Sequence, residues 1–139
     1  MESKNIANIE PIENSLRAAM SMAVRGSSEW AHNYILDAER KADFVGIELP
    51  KERYESIMEK AYFNNACSIL ISAKLAKREG MKDAFRLFYD TAMRCENSYS
   101  QIAKRRIAGA PDDLREQWEK DYAIKSKALR EQREFIEGL

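Results

Sequence analysis

The 139-residue sequence contains only five glycines, three prolines, two cysteines and one histidine. So few glycines and prolines argue against a turn-rich β fold and against flexible linkers between domains. The 23 basic and 23 acidic residues balance, so no net field draws the chain to nucleic acid or to an anionic membrane. No apolar run reaches the length of a membrane span, and residues 1–11 hold no apolar signal core. We therefore expect one cytoplasmic domain with no membrane partner.

The single histidine limits the chemistry that this chain can carry. Glu29 and His32 have the Glu-x-x-His spacing of carboxylate-bridged di-iron bundles, but such a site needs a second motif and two further glutamates. A Ser-His-Asp or Cys-His catalytic arrangement would also have to use His32. Cys67 and Cys95 lie beside apolar residues, which favours buried thiols over a disulfide. We predict no metal, no cofactor and no enzymatic activity.

Helix-start and helix-stop residues divide the chain into five predicted helices. Pro11 is expected to open the first, Ser27 or Ser28 to cap the second, and Pro50 and Pro111 to open the third and the fifth. The fourth begins near Lys82. Four predicted helix ends coincide with glycines: Gly26, Gly46, Gly80 and Gly109. No segment of useful length alternates with a period of two, so no strand is predicted.

The connections between these helices are a few residues long, which places sequence neighbours antiparallel. The sequence therefore predicts an all-α, five-helix up-and-down bundle of antiparallel helical hairpins. Its third helix is long and central, because it continues without a breaker from Pro50 to Gly80. We expect a frayed N-terminus over residues 1–10 and a single helical domain over residues 11–137. The sequence leaves open whether the hairpins form a closed bundle or an open array.

Polar side chains interrupt the most apolar part of the third helix, residues 61–72. At about 100° per residue, they fall within one sector of the helix surface. This polar island consists of Asn64, Asn65, Ser68 and Ser72. Its amides and hydroxyls could bond to a neighbouring helix or to a trapped water, line a ligand pocket together with Tyr62 and Tyr99, or face solvent.

The third and fourth helices carry more apolar residues than the remaining helices are expected to cover. Apolar surface of a few hundred Å² that stays uncovered usually marks an interface. We therefore predict a protein partner, and specifically a homodimer through helix three or four. The predicted interface residues are Phe63, Cys67, Ile71, Phe85 and Tyr89.

A basic cluster, formed by Lys104, Arg105 and Arg106, lies in the last turns of the fourth helix. Cations there complement the helix dipole, which is sufficient to explain the cluster. One short cluster on a neutral chain gives little support for nucleic-acid binding, although the sequence does not exclude it. Our leading expectation is a non-enzymatic helical interaction module that self-associates. The alternatives are a small-ligand-binding bundle that uses the polar island and a nucleic-acid-associated regulator that uses the basic cluster.

Overall fold

A computed structural model describes the backbone of residues 2–139 and the side chains of residues 9–139. This part of the chain consists of five α-helices joined by short turns and contains no strand. The helices are α1 (Glu2–Val24), α2 (Ser28–Phe44), α3 (Lys51–Arg78), α4 (Lys82–Ala108) and α5 (Asp112–Glu137). Consecutive helices pack antiparallel, and α3 is the longest at 28 residues, or about 42 Å. The predicted all-α architecture with a long third helix is confirmed.

All four glycines that are predicted to stop a helix lie at a helix end; Gly109 is the C-cap of α4 with a negative φ, and the other three have a positive φ. Gly26, Gly46 and Gly80 follow α1, α2 and α3 with φ of 78°, 73° and 71°. The N–H after each glycine bonds back to a carbonyl five residues earlier, as in Ile47 to Ala42 at 2.9 Å. This is the Schellman arrangement, which uses carbonyls that the helix itself leaves without a donor.

Pro11 lies inside α1 rather than at its start, so the predicted beginning of the first helix is wrong. Proline fits a first helical turn, whereas in a helix interior it removes one main-chain hydrogen bond and its ring crowds the carbonyl four residues earlier; α1 nevertheless continues through Pro11. Pro11 is exposed, and the helix begins at Glu2. The expected fraying of residues 1–10 stays a prediction, because Met1 and the side chains of residues 2–8 lie outside the described part.

Two hydrophobic cores lie one after the other along α3. The first joins α1 and α2 to the N-terminal half of α3 at Ile57 and Ala61. The second joins α4 and α5 to the C-terminal half of α3 around Leu70 and Tyr99. Tyr62 packs against both cores. Helix α3 therefore contacts all four other helices and is the element that unites the fold.

The direction of each helix follows from its contacts with α3. Glu13 of α1 pairs with Arg53 near the start of α3, and the end of α1 meets Asn64 near its middle. Helix α1 is thus parallel to α3, and α2 returns antiparallel to it. The α1–α2 hairpin ends at the midpoint of α3. No helix in the described part of the chain is long and apolar enough to cross a membrane.

Candidate functional site

The α1–α2 turn docks on α3 at the first residue of the polar island. Asn64 Nδ2 donates to the main-chain oxygen of Ala23 at 3.0 Å. That oxygen lies in the last turn of α1 and also accepts the N–H of Gly26 at 3.0 Å. Carbonyls in a last helical turn have no partner within their own helix. Asn64 therefore fixes the end of α1 at one level of α3.

The neighbouring amide joins three helices. Asn65 Nδ2 donates to Ser28 Oγ at 2.8 Å and to Cys95 Sγ at 3.4 Å. Ser28 is the first residue of α2, and Cys95 lies in the middle of α4. Both protons of one amide group are thus used in bonds to two other helices. Asn64 and Asn65 contact protein, as the first of the three explanations for the polar island requires.

Gly26 allows the turn to approach the α3 backbone closely. A Cβ atom at this position would lie 3.2 Å from the main-chain oxygen of Asn64 and 3.3 Å from its carbonyl carbon. The positive φ of Gly26 already disfavours any other residue. At the comparable Gly46, a Cβ atom would have nothing within 4 Å, so the close approach is specific to the α1–α2 turn.

A regular stripe of residues runs along α3 past this docking point. Its spacing alternates between four and three residues, which is the spacing of a helix-packing seam. This α3 seam consists of Ile57, Ala61, Asn64, Ser68, Ile71 and Leu75. Ile57 and Ala61 are buried under the α1–α2 hairpin. Beyond Asn64, the seam is exposed.

The exposed half of the α3 seam is mainly apolar. Ile71 is 62% exposed and Leu75 is 58% exposed, and Ser68 between them and the hairpin is also exposed. Ile71 was predicted as an interface residue, whereas Leu75 was not. The spacing of four residues from Ile71 to Leu75 is the signal that would have included it.

The other predicted interface residues are half-buried against the second core of the same chain. Phe63 stacks at 5.3 Å from the Tyr99 ring, and Cys67 packs beside it. Phe85 and Tyr89 line an open groove of about 530 Å³ at the start of α4. Tyr89 donates its hydroxyl to the Glu137 carboxylate, so it is tied to α5. Among the five, Ile71 alone projects mainly into solvent.

The two serines of the polar island differ from its two asparagines. Ser68 is exposed and Ser72 is half-buried, and neither makes a side-chain hydrogen bond within the described residues. The structure therefore divides the island in two. Its asparagines fix the hairpin, whereas Ser68 belongs to the exposed half of the α3 seam and Ser72 lies next to Ile71. Ligand binding by these four residues stays a prediction.

The basic cluster is largely neutralised by α3. Arg105 pairs with Glu55, and Arg106 pairs with Glu59. Arg106 also stacks over the Trp118 ring, with 4.7 Å between Cζ and the ring centroid. Of the three cluster residues, only Lys104 is exposed and has no ion pair within the described residues. The nucleic-acid hypothesis stays a prediction, and two of its three charges already have partners.

Both cysteines are free thiols in helices. Burial raises the pKa of the Cys67 thiol and of the Cys95 thiol, which keeps them protonated and poorly nucleophilic. His32 is exposed on α2. Within the described residues, no group of three or more His, Cys, Asp or Glu side chains is arranged to hold a metal ion.

Comparisons with protein-family models, with curated proteins and with solved structures found no match to this chain. Its function therefore has to be inferred from its own geometry.

Proposed function

We propose that this chain is a non-enzymatic helical interaction module that pairs with a second copy of itself through the exposed half of the α3 seam. The observation that carries the proposal is the unequal coverage of one continuous stripe. Over Ile57 and Ala61 the seam is buried by the chain's own hairpin, whereas Ile71 and Leu75 are more than half exposed. The same helix face is thus used for packing in one half and left uncovered in the other.

The seam has the chemistry of a helix-packing surface. Alternation of three and four residues keeps one face of α3 directed at a partner helix over several turns. Ile71 and Leu75 supply large apolar side chains, and Ser68 is small enough for a close helix approach. Burial of apolar surface stabilises association by roughly 25 cal/mol per Å² before the entropy of association is subtracted. A partner helix on the exposed half of the α3 seam buries it in the same way as α1 and α2 bury the first half.

A second copy of the chain fits this surface better than a strongly charged partner. A two-fold axis across α3 brings two identical seams together, and such symmetric dimers are the commonest oligomers. Arg78 and Glu79, both exposed, lie at the end of the seam and provide one charge of each sign. The chain has no net charge, so two copies do not repel each other at long range.

Sedimentation velocity of seam variants tests the location of the interface. Ile71→Glu and Leu75→Glu each place a charge in the proposed contact and are expected to give monomers at concentrations where the wild type is dimeric. Ile124→Glu is the matched control, because Ile124 is 67% exposed on α5 and lies outside the seam. A dimer that survives both seam substitutions, or one that Ile124→Glu disrupts equally, would contradict the proposal.

The proposal includes a reducing, cytoplasmic environment, which the two free thiols support. It also includes the absence of catalysis, in keeping with thiols whose pKa is raised and a histidine that is exposed without a hydrogen-bonded partner in the described residues. Nucleic-acid binding is less well supported, because Arg105 and Arg106 pair with carboxylates of α3.

A further inference from the structure

An open groove lies where α3 ends, α4 begins and α5 ends. Its volume is about 530 Å³, and its lining includes Phe85 and Tyr89. Small-molecule sites in proteins usually have volumes of about 300–1,000 Å³, so this groove has the size of a binding site. None of its lining residues belongs to the α3 seam.

Two aromatic rings of α4 form an apolar wall of the groove. Phe85 and Tyr89 are four residues apart on one face of the helix, and their ring centroids are 5.4 Å apart. Lys77 Nζ lies 5.3 Å from the Phe85 centroid and donates to the main-chain oxygen of Glu137 at 2.7 Å. The Tyr89 hydroxyl donates to the carboxylate of the same glutamate. Contacts with α3 and α5 therefore hold both rings in place.

Two cationic side chains stand beside the aromatic pair. Lys82 and Arg86 are also four residues apart, and at about 100° per residue they lie within about 60° of Tyr89 around α4. Both are exposed, and neither forms an ion pair within the described residues. Asp90 is the one acidic side chain among the described lining residues, against these two and Lys77. The side chains of the groove therefore carry a net positive charge.

The apolar wall and the cations together favour an amphiphilic anion. A carboxylate accepts charge-assisted hydrogen bonds from lysine and arginine, and these are stronger than bonds between neutral groups. A hydrocarbon chain gains stability when it leaves water to lie against aromatic rings. Met81 and Leu139 add two exposed apolar side chains to the lining.

The surroundings of the groove favour a small molecule over a partner helix or a membrane. Its apolar surface is bordered by exposed charges of both signs, at Arg78, Glu79 and Asp83. The lining runs from Lys82 to Tyr89, which is about 10 Å along α4. An extended chain advances about 1.2 Å per bond, so about eight to ten carbons span this distance.

We propose that the groove between the end of α3, the start of α4 and the end of α5 binds a free, single-chain fatty acid of medium length. The carboxylate accepts hydrogen bonds from Lys82 and Arg86, and the hydrocarbon chain lies along Phe85 and Tyr89. Because the groove shares no residue with the α3 seam, this proposal does not depend on self-association.

The direct test is a titration of the full ¹⁵N-labelled chain with decanoate, below the concentration at which decanoate forms micelles, followed by NMR at the main-chain N–H signals of Lys82 and Arg86. We expect saturable shifts with a Kd of about 0.1 mM. Octanoate buries two fewer CH₂ groups and should bind at least about threefold more weakly. Decyltrimethylammonium has the same chain with the opposite charge, and it should bind at least about tenfold more weakly than decanoate.

Nuclear Overhauser contacts between ligand and protein locate the hydrocarbon chain. We expect contacts from the decanoate methylene protons to the ring protons of Phe85 and Tyr89. Phe44 is the matched control for nonspecific adsorption, because it is 92% exposed at the end of α2 and lies outside the groove. Equally strong contacts at Phe44 would show that decanoate adsorbs to any exposed ring, and they would reject the proposed site.

The informative substitution is Arg86→Glu, because this side chain is exposed and its loss should not disturb the fold. We expect the Kd for decanoate to rise at least about tenfold, since a cation that binds the carboxylate is replaced by an anion. Lys104→Glu is the matched control, at an exposed cation of α4 outside the groove, and should leave the Kd unchanged. Ile71→Glu should also leave it unchanged, and weaker binding in that variant would place the ligand at the dimer interface instead.

The absence of a saturable shift at roughly ten times the expected Kd would overturn the proposal. Equal binding of decyltrimethylammonium, or an Arg86→Glu variant that binds decanoate as tightly as the wild type, would reject the assignment of the carboxylate. Vesicles of phosphatidylglycerol test the membrane alternative. If the wild type but not Arg86→Glu sediments with these vesicles while free decanoate causes no shift, the groove recognises a lipid surface and the proposal is wrong.

Discussion

Asn64 Nδ2 donates a 3.0 Å hydrogen bond to the main-chain oxygen of Ala23, and this bond lies where the α1–α2 hairpin stops covering the α3 seam. On the N-terminal side of Asn64, the α3 seam is buried under the α1–α2 hairpin. On the C-terminal side, Ile71 and Leu75 are exposed. One amide therefore marks the boundary between the part of the α3 seam that the hairpin buries and the part that we assign to self-association.

Loss of the Asn65 side-chain amide should destabilise the fold. Asn65→Ala breaks bonds to Ser28 and Cys95 and is expected to lower the free energy of unfolding by about 1–3 kcal/mol. Urea denaturation measures the change, and Asn97→Ala, at an exposed asparagine of α4, is the control. A change below about 0.5 kcal/mol in Asn65→Ala would mean that the amide is not structurally important.

The close approach of the α1–α2 turn makes a separate prediction. Gly26→Ala and Gly46→Ala both place a side chain at positive φ, which costs about 1–2 kcal/mol in each case. Only Gly26→Ala also crowds the Asn64 carbonyl, so it should cost at least about 1 kcal/mol more. Equal losses for the two variants in thermal unfolding would show that the turn can move away from α3.

The Glu96–Arg133 ion pair should contribute more to stability than the surface pairs. Arg133 Nε and Nη2 donate to the two oxygens of Glu96 at 2.7 and 3.1 Å, and the two side chains are only 19% and 14% exposed. Arg133→Met is expected to cost about 2 kcal/mol, and Arg133→Lys to restore only part of the loss. The control is Lys127→Met. Lys127 pairs with Glu131 at 3.8 Å in a mostly exposed position, so its loss should change the free energy of unfolding by less than about 0.5 kcal/mol.

Acid should weaken the contact between α1 and α2. Hydrogen bonds from Ser15 and then from Lys41 hold the pKa of Asp37 below its ordinary value of 3.8. Because the folded pKa is lowered, this contribution is complete above the unfolded pKa and is lost as the pH falls through the folded one. As the pH is lowered from about 5 to about 2, the free energy of unfolding should therefore fall less for Asp37→Asn than for the wild type. Asp43→Asn, at an exposed carboxylate on the same helix, should follow the wild type.

The sequence predicts the helices well because their ends are encoded locally. Gly26, Gly46 and Gly80 adopt the positive φ that stops a helix, a conformation that glycine takes more readily than other residues. The prediction for Pro11 was wrong because α1 continues through this proline, although proline disfavours a helix interior. Burial is harder to predict than helix ends, since Trp30 is 57% exposed although the next residue, Ala31, is fully buried.

The candidate sites depend on tertiary contacts and were only partly predictable. Asn64 and Asn65 could be recognised as needing partners, but the partners Ala23, Ser28 and Cys95 come from three different helices. The spacing of the α3 seam is visible in the sequence, whereas the position along α3 at which the α1–α2 hairpin ends is not. The groove beside Phe85 and Tyr89 could not be predicted, because the spacing of these rings on α4 does not reveal that α5 ends next to them.

The most direct test of self-association is the molar mass of the wild-type chain, measured by light scattering after gel filtration over a wide range of concentration. The monomer has a mass of 16.1 kDa. We expect the mass to rise with concentration to twice that value and then to stay constant, as a closed two-fold dimer requires. A mass of one chain at every concentration would contradict the central proposal, and the exposed half of the α3 seam would then need another explanation.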